Sequence, residues 1–104
     1  MDKFLPKVGD KLYLRQDTGN EWIDMVHKPY TVIKVSEDVI VIQECKLIFY
    51  GTRYYDTLPD EIEEDPYGEI KTLHWNSKKG RWQGSKDCHD IAVFGEWDYQ
   101  PYLN

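Results

Sequence analysis

The sequence predicts a small, mostly-β domain: a barrel or sandwich of about six short antiparallel strands, with at most one short helix. Three observations carry that expectation. No window of a dozen residues shows the i, i+3, i+4, i+7 apolar stripe of an amphipathic helix. Alternating apolar and polar residues recur in short runs rich in β-branched and aromatic side chains. Turn signals built from Gly, Pro, Asn, Asp and Ser punctuate those runs. At 104 residues the chain makes one domain, residues 1–104.

The elements follow in order. Lys11 to Gln16 (KLYLRQ) alternates, with Leu12 and Leu14 on one face, and Gly9-Asp10 turns into it. Thr18-Gly19-Asn20 is a second turn, and Trp22 to Val26 reads equally as strand or as one helical turn. Tyr30 to Val35 (YTVIKV) and Val39 to Glu44 (VIVIQE) form a hairpin about Ser36-Glu37-Asp38. The returning strand is apolar at every position from Val39 to Ile42, which predicts cover on both its faces. Lys46 to Tyr50 continues as strand until Gly51. Asp60 can cap one turn of helix through Glu64, between Pro59 and Pro66. Pro66-Tyr67-Gly68 is a turn in which Gly68 is free to take positive φ.

A second hairpin joins Glu69–Asn76 to Arg81–Gln83 through Ser77-Lys78-Lys79-Gly80. A four-residue loop there sets Asn76 opposite Arg81 and Trp75 opposite Trp82, a pair worth up to ~1 kcal/mol over Ala–Ala. Leu73 and Trp75 share a face, which is assigned to the core. Ile91 to Phe94 is a last strand. The tail through Trp97, Tyr99 and Tyr102 is aromatic enough to be expected against the body.

Charge is the feature with a direction. Asp56 to Glu69 (DTLPDEIEEDPYGE) holds seven carboxylates and no base, while the whole chain carries −6, so the remainder is close to neutral. Asp60, Glu61, Glu63, Glu64 and Asp65 put five charges in six residues. A nucleic-acid strand carries one charge per ~3.4 Å, so a rigid strip of this density fits a cationic nucleic-acid groove on another protein. Tyr54, Tyr55 and Tyr67 flank it and supply the anchors typical of interfaces. The blander alternative is a solvated acidic loop beside partly buried tyrosines. With 13 Lys and Arg scattered along an acidic chain, direct binding of nucleic acid is not expected.

Candidate metal ligands are Cys45, His74, Cys88 and His89, with His27 a further histidine. They could form a zinc site only if Cys88-His89 lies in a loop, because neighbours on a strand point apart. The ordinary alternative is buried thiols and surface histidines. The carboxylates of Asp56–Glu69 are the other metal candidate, for a Mg2+-dependent enzyme, but no base lies among them to hold phosphate. No G-x-S-x-G, P-loop or H-E-x-x-H pattern occurs, and no catalytic residue is assigned. The opening MDKFLPKVGDKLYL has no apolar run, and no stretch approaches the ~20 apolar residues of a membrane span. A cytoplasmic protein with reduced thiols is expected.

The opening residues, an apolar position, Gly-Asp and then an alternating strand, resemble SH3-like barrels over about the first sixteen residues. The strings RYYDTLPDEIEEDPYG, LHWNSKKGRWQ and FGEWDYQPYLN resemble those of small phage and mobile-element proteins of Gram-positive bacteria, from Tyr50 onward. In size and acidity the chain also resembles anti-CRISPR proteins. That likeness implies a non-enzymatic inhibitor of a CRISPR effector nuclease, but transfers no residue roles. A zinc-stabilised accessory domain with incidental acidity, and a metal-dependent enzyme, are the alternatives.

Overall fold

The computed structural model describes residues 4–16, 28–50, 61–84 and 90–95. Within them the chain is all strand: β1 (Lys11–Gln16), β2 (Lys28–Val35), β3 (Val39–Glu44), β4 (Lys46–Ile48), β5 (Glu61–Glu63), β6 (Ile70–Asn76), β7 (Arg81–Gly84) and β8 (Asp90–Phe94). Six of these close into an antiparallel barrel in the order β1-β2-β3-β6-β7-β8, with β8 returning to β1. The remaining two, β4 and β5, form a separate two-stranded ribbon. Closure leaves the barrel no open edge, the usual hazard of a small sheet.

Alternation fixes which residues fill the interior. Leu12 and Leu14 of β1, Tyr30 and Val32 of β2, and Ile40 and Ile42 of β3 are buried, and Leu73 and Trp82 complete the cluster from β6 and β7. In β3 the inward pair is fully enclosed, while Val39 and Val41 on the outer face are only half-buried. The expected cover on both faces is therefore partial. Trp75 and Trp82 face each other in the ladder, with ring centroids 5.5 Å apart in an edge-to-face arrangement. The β6–β7 loop closes on Gly80, at φ 63°, whose amide donates to the carbonyl of Asn76 at 2.8 Å. The segment before β1 straps across the barrel: the Trp82 indole donates to the carbonyl of Phe4 at 2.8 Å, and the Phe4 ring packs on Phe94 at 4.9 Å.

Several expectations change. Glu61–Glu63 is strand β5, not a helical turn, because Ile62 pairs with Leu47 of β4 and both apolar side chains turn to the same half-buried face. Glu-Ile-Glu is a period-2 pattern, and a free partner strand decides in its favour. The strand from Lys46 ends at Ile48, short of Tyr50. Gly68 does not take positive φ; Gly9, Gly80 and Gly95 do. The turn at residues 18–20, the segment 22–26 and the aromatic tail lie outside the described residues.

Topology places the long connections together. The links β1–β2, β3–β6 and β7–β8 all leave from one end of the barrel, where Gln16, Lys28, Glu44, Ile70, Gly84 and Asp90 lie. The short turns at 36–38 and 77–80 lie at the other end. Connections grouped at one end of a rigid scaffold are where binding surfaces commonly form.

Candidate partner-binding face

The acidic segment is an excursion between β3 and β6, which are themselves paired, so it can project without breaking the barrel. Its strand β5 pairs with β4, which precedes the segment, to form the ribbon. Glu61 and Glu63 are exposed on the face opposite Ile62. Glu61 sits across from Ile48 and Glu63 across from Lys46, so one base stands within the acidic face. The Tyr50 hydroxyl donates to Glu61 Oε2 at 2.6 Å, which ties the end of β5 to the residues after β4.

The second half is a tight turn. Asp65, Pro66, Tyr67 and Gly68 occupy the positions that favour Asp, Pro, any residue and Gly in a type I turn. The Gly68 amide donates to the Asp65 carbonyl at 3.0 Å, and the Tyr67 amide donates to Asp65 Oδ1 at 2.9 Å. Gln43, on the outer face of β3, clamps the turn from below. Its Nε2 donates to the carbonyls of Pro66 at 3.0 Å and Gly68 at 3.1 Å. The Glu44 amide adds a bond to the Glu69 carbonyl at 2.8 Å. Held this way, Tyr67 stands 94 % exposed at the tip, with Glu63, Glu64 and Glu69 exposed around it in sequence.

Of the predicted anchors and charges, Glu61, Glu63, Glu64, Asp65 and Tyr67 thus fall on one contiguous excursion. Tyr54, Tyr55 and Asp60 lie outside the described residues. Gln43 and Tyr50 were not predicted to belong here. Tyr50 had a signal, being an aromatic at the expected end of a strand, next to Gly51. Gln43 had none, because its partners are backbone carbonyls more than twenty residues away.

The predicted zinc ligands do not assemble as a set from the described residues. His74 is exposed and lies beside Val39, at the start of β3, whereas Cys45 follows its end. Six residues of strand at ~3.3 Å each separate those positions by about 20 Å, too far for one ion. Cys88 and His89 lie outside the described residues. Among the described residues no three His, Cys, Asp or Glu side chains converge as a metal site. No helix among them is long and apolar enough to cross a membrane.

Cys45 is instead a free, buried thiol that shares a 3.3 Å contact with the Thr31 hydroxyl. Burial pushes its pKa up, against a lowering by the Thr31 bond. Tyr30, buried in the barrel, is pushed up too, chiefly by burial and then by Glu44 and Glu69. Both groups keep their protons in the fold where the unfolded chain would lose them, so stability falls as pH rises. The loss should begin near the ordinary thiol value of 9.0 and steepen past the ordinary phenol value of 10.0. Melting temperatures measured from about pH 8 to about pH 11 test this. Tyr30→Phe should flatten the upper part of the curve and Cys45→Ala its onset; a wild-type curve level across the range would refute the assignment.

No family model matches the chain, and neither a curated protein nor a solved structure matches it.

Proposed function

We propose that this barrel is a non-enzymatic binding module that presents its acidic excursion to a basic, nucleic-acid-handling protein. Inhibition of a CRISPR effector nuclease is the concrete case. The observation that carries the reading is Tyr67, an almost fully exposed aromatic on a turn that Gln43 and Glu44 hold rigidly, within a run of exposed carboxylates. The ring contributes nothing to the core. A rigid, amphipathic side chain loses little entropy on docking, which suits it to anchor an interface. The surrounding carboxylates supply a field that steers a cationic surface toward it. They stand where a nucleic-acid backbone would otherwise occupy the partner's groove.

The test is binding kinetics with a guide-loaded CRISPR effector nuclease. Glu63→Lys/Glu64→Lys reverses two exposed charges and leaves the Tyr50–Glu61 bond intact. The double variant should bind about tenfold more slowly at low salt, with the gap narrowing as salt screens the field. An unchanged on-rate at low salt would remove the strip from the interface. No binding by the wild-type protein would remove the effector as its partner.

A further inference from the structure

A groove of about 490 Å³ runs between the Lys7–Asp10 segment, the outer face of β2 and the start of the Asp65–Gly68 turn. The geometry points to this groove as a receptor for an arginine side chain presented by the partner. The inference takes from the proposed function only the basic character of that partner.

One side of the groove is apolar and the other acidic. Val8 is 66 % exposed and Ile33 38 % exposed, and both line the groove, so an apolar surface stands open to solvent there. Ile33 reaches this position through an irregularity in the β2–β3 ladder. Val32 pairs with Ile42 and Lys34 with Val41, so Ile33 is the extra residue of a bulge. Bulges re-aim side chains and recur beside functional sites. Opposite, Glu64 and Asp65 line the wall together with Pro66. Asp65 Oδ1 is taken by the Tyr67 amide, which leaves Oδ2 for a ligand. Gln43 also lines the groove, and because its Nε2 is spent on the turn carbonyls, Oε1 is the amide atom left to it. Among the described residues lining the groove there is no lysine or arginine.

Acceptors facing an apolar wall match one common side chain closely. Arginine has a three-carbon stem that lies well on Val and Ile, and a planar head with five donors that spans two carboxylates. Lysine offers a point charge with more tightly held water, and fits two separated acceptors less well. A bare cation would leave the apolar wall unused, and a neutral apolar residue would leave the carboxylates unpaired.

The probes are N-acetyl-arginine amide, N-acetyl-lysine amide, N-acetyl-norleucine amide and guanidinium chloride, titrated into the full-length 15N-labelled protein. The arginine derivative should shift the Val8, Gly9, Ile33 and Asp65 amides and saturate in the millimolar range. The other three should bind at least about fivefold more weakly. Ile33→Ser and Glu64→Gln should each weaken the arginine derivative, one through the stem and one through the head. Equal shifts with guanidinium chloride, or none at these amides, would overturn the proposal. In the complex, Ile33→Ser changes no charge on the strip, so it should raise the off-rate and leave the on-rate alone, whereas Glu63→Lys/Glu64→Lys should lower the on-rate and, because Glu64 also lines the groove, raise the off-rate as well. An off-rate unchanged by Ile33→Ser beside a lowered on-rate would overturn the groove while leaving the acidic face standing.

Discussion

Trp82→Ala is expected to leave the barrel largely unfolded. The side chain is 1 % exposed and heads the fully buried residues by volume. It fills the interior from β7 and meets Trp75 edge-to-face at 5.5 Å. It also bonds the Phe4 carbonyl, and so ties the N-terminal strap to the core. Truncating a buried Trp costs ~3–5 kcal/mol, and losing the indole bond adds ~1 kcal/mol. A domain of this size is held by ~5–15 kcal/mol in total. Trp82→Phe should cost less, because it keeps a ring in the space and gives up the donor. Trp75→Ala should also cost less, since Trp75 is only half-buried. Alternation in the sequence places Trp75 on the core side without saying how deeply, and the structure leaves it half-buried. Urea titrations order the three variants. A Trp82→Ala protein unfolding cooperatively within ~1 kcal/mol of wild type would contradict the packing described.

The elements that could be read in advance are those with a local cause. The hairpin β2–β3 follows from alternation on either side of Ser36-Glu37-Asp38, and the opposition of Trp75 and Trp82 follows from counting four loop residues. What local pattern does not carry is pairing at a distance. That β3 joins β6, leaving β4 and β5 outside the barrel, depends on which strands bury the most surface together. The same holds for the acidic face. Its charges were plain in the sequence, but Asp60–Glu64 suited a capped helical turn until Leu47 offered Ile62 a partner across the ribbon. Gln43 was invisible for a related reason: a polar residue ending an apolar strand looks like a solvated edge, and only the folded turn shows the two carbonyls it binds.

Gly68→Ala should cost the protein much of the rigidity on which the binding face depends. A Cβ at this position would collide with the carbonyl oxygen of Glu44 and lie 3.0 Å from its carbon. Both atoms are backbone, so no side-chain rotation relieves the contact. The turn would have to lift away from the end of β3, straining the Glu44–Glu69 bond and the two bonds from Gln43. Overpacking of this kind costs ~1–3 kcal/mol, and the displaced turn carries Tyr67 with it. Gly9 and Gly95 make the contrast. Both sit at positive φ, 95° and 144°, with nothing within 4 Å of an added Cβ, so alanine there meets conformational strain but no collision. Gly9→Ala should therefore lower the melting temperature while leaving the Tyr67 amide signal in place. Gly68→Ala should move that signal, along with those of Gln43 and Glu44, and weaken partner binding mainly through a faster off-rate. If Gly68→Ala melts with the wild type and leaves the Tyr67 signal unmoved, the turn is not seated on β3. Tyr67 would then be a mobile side chain on a charged loop, and the entropic argument for it as an anchor would fail.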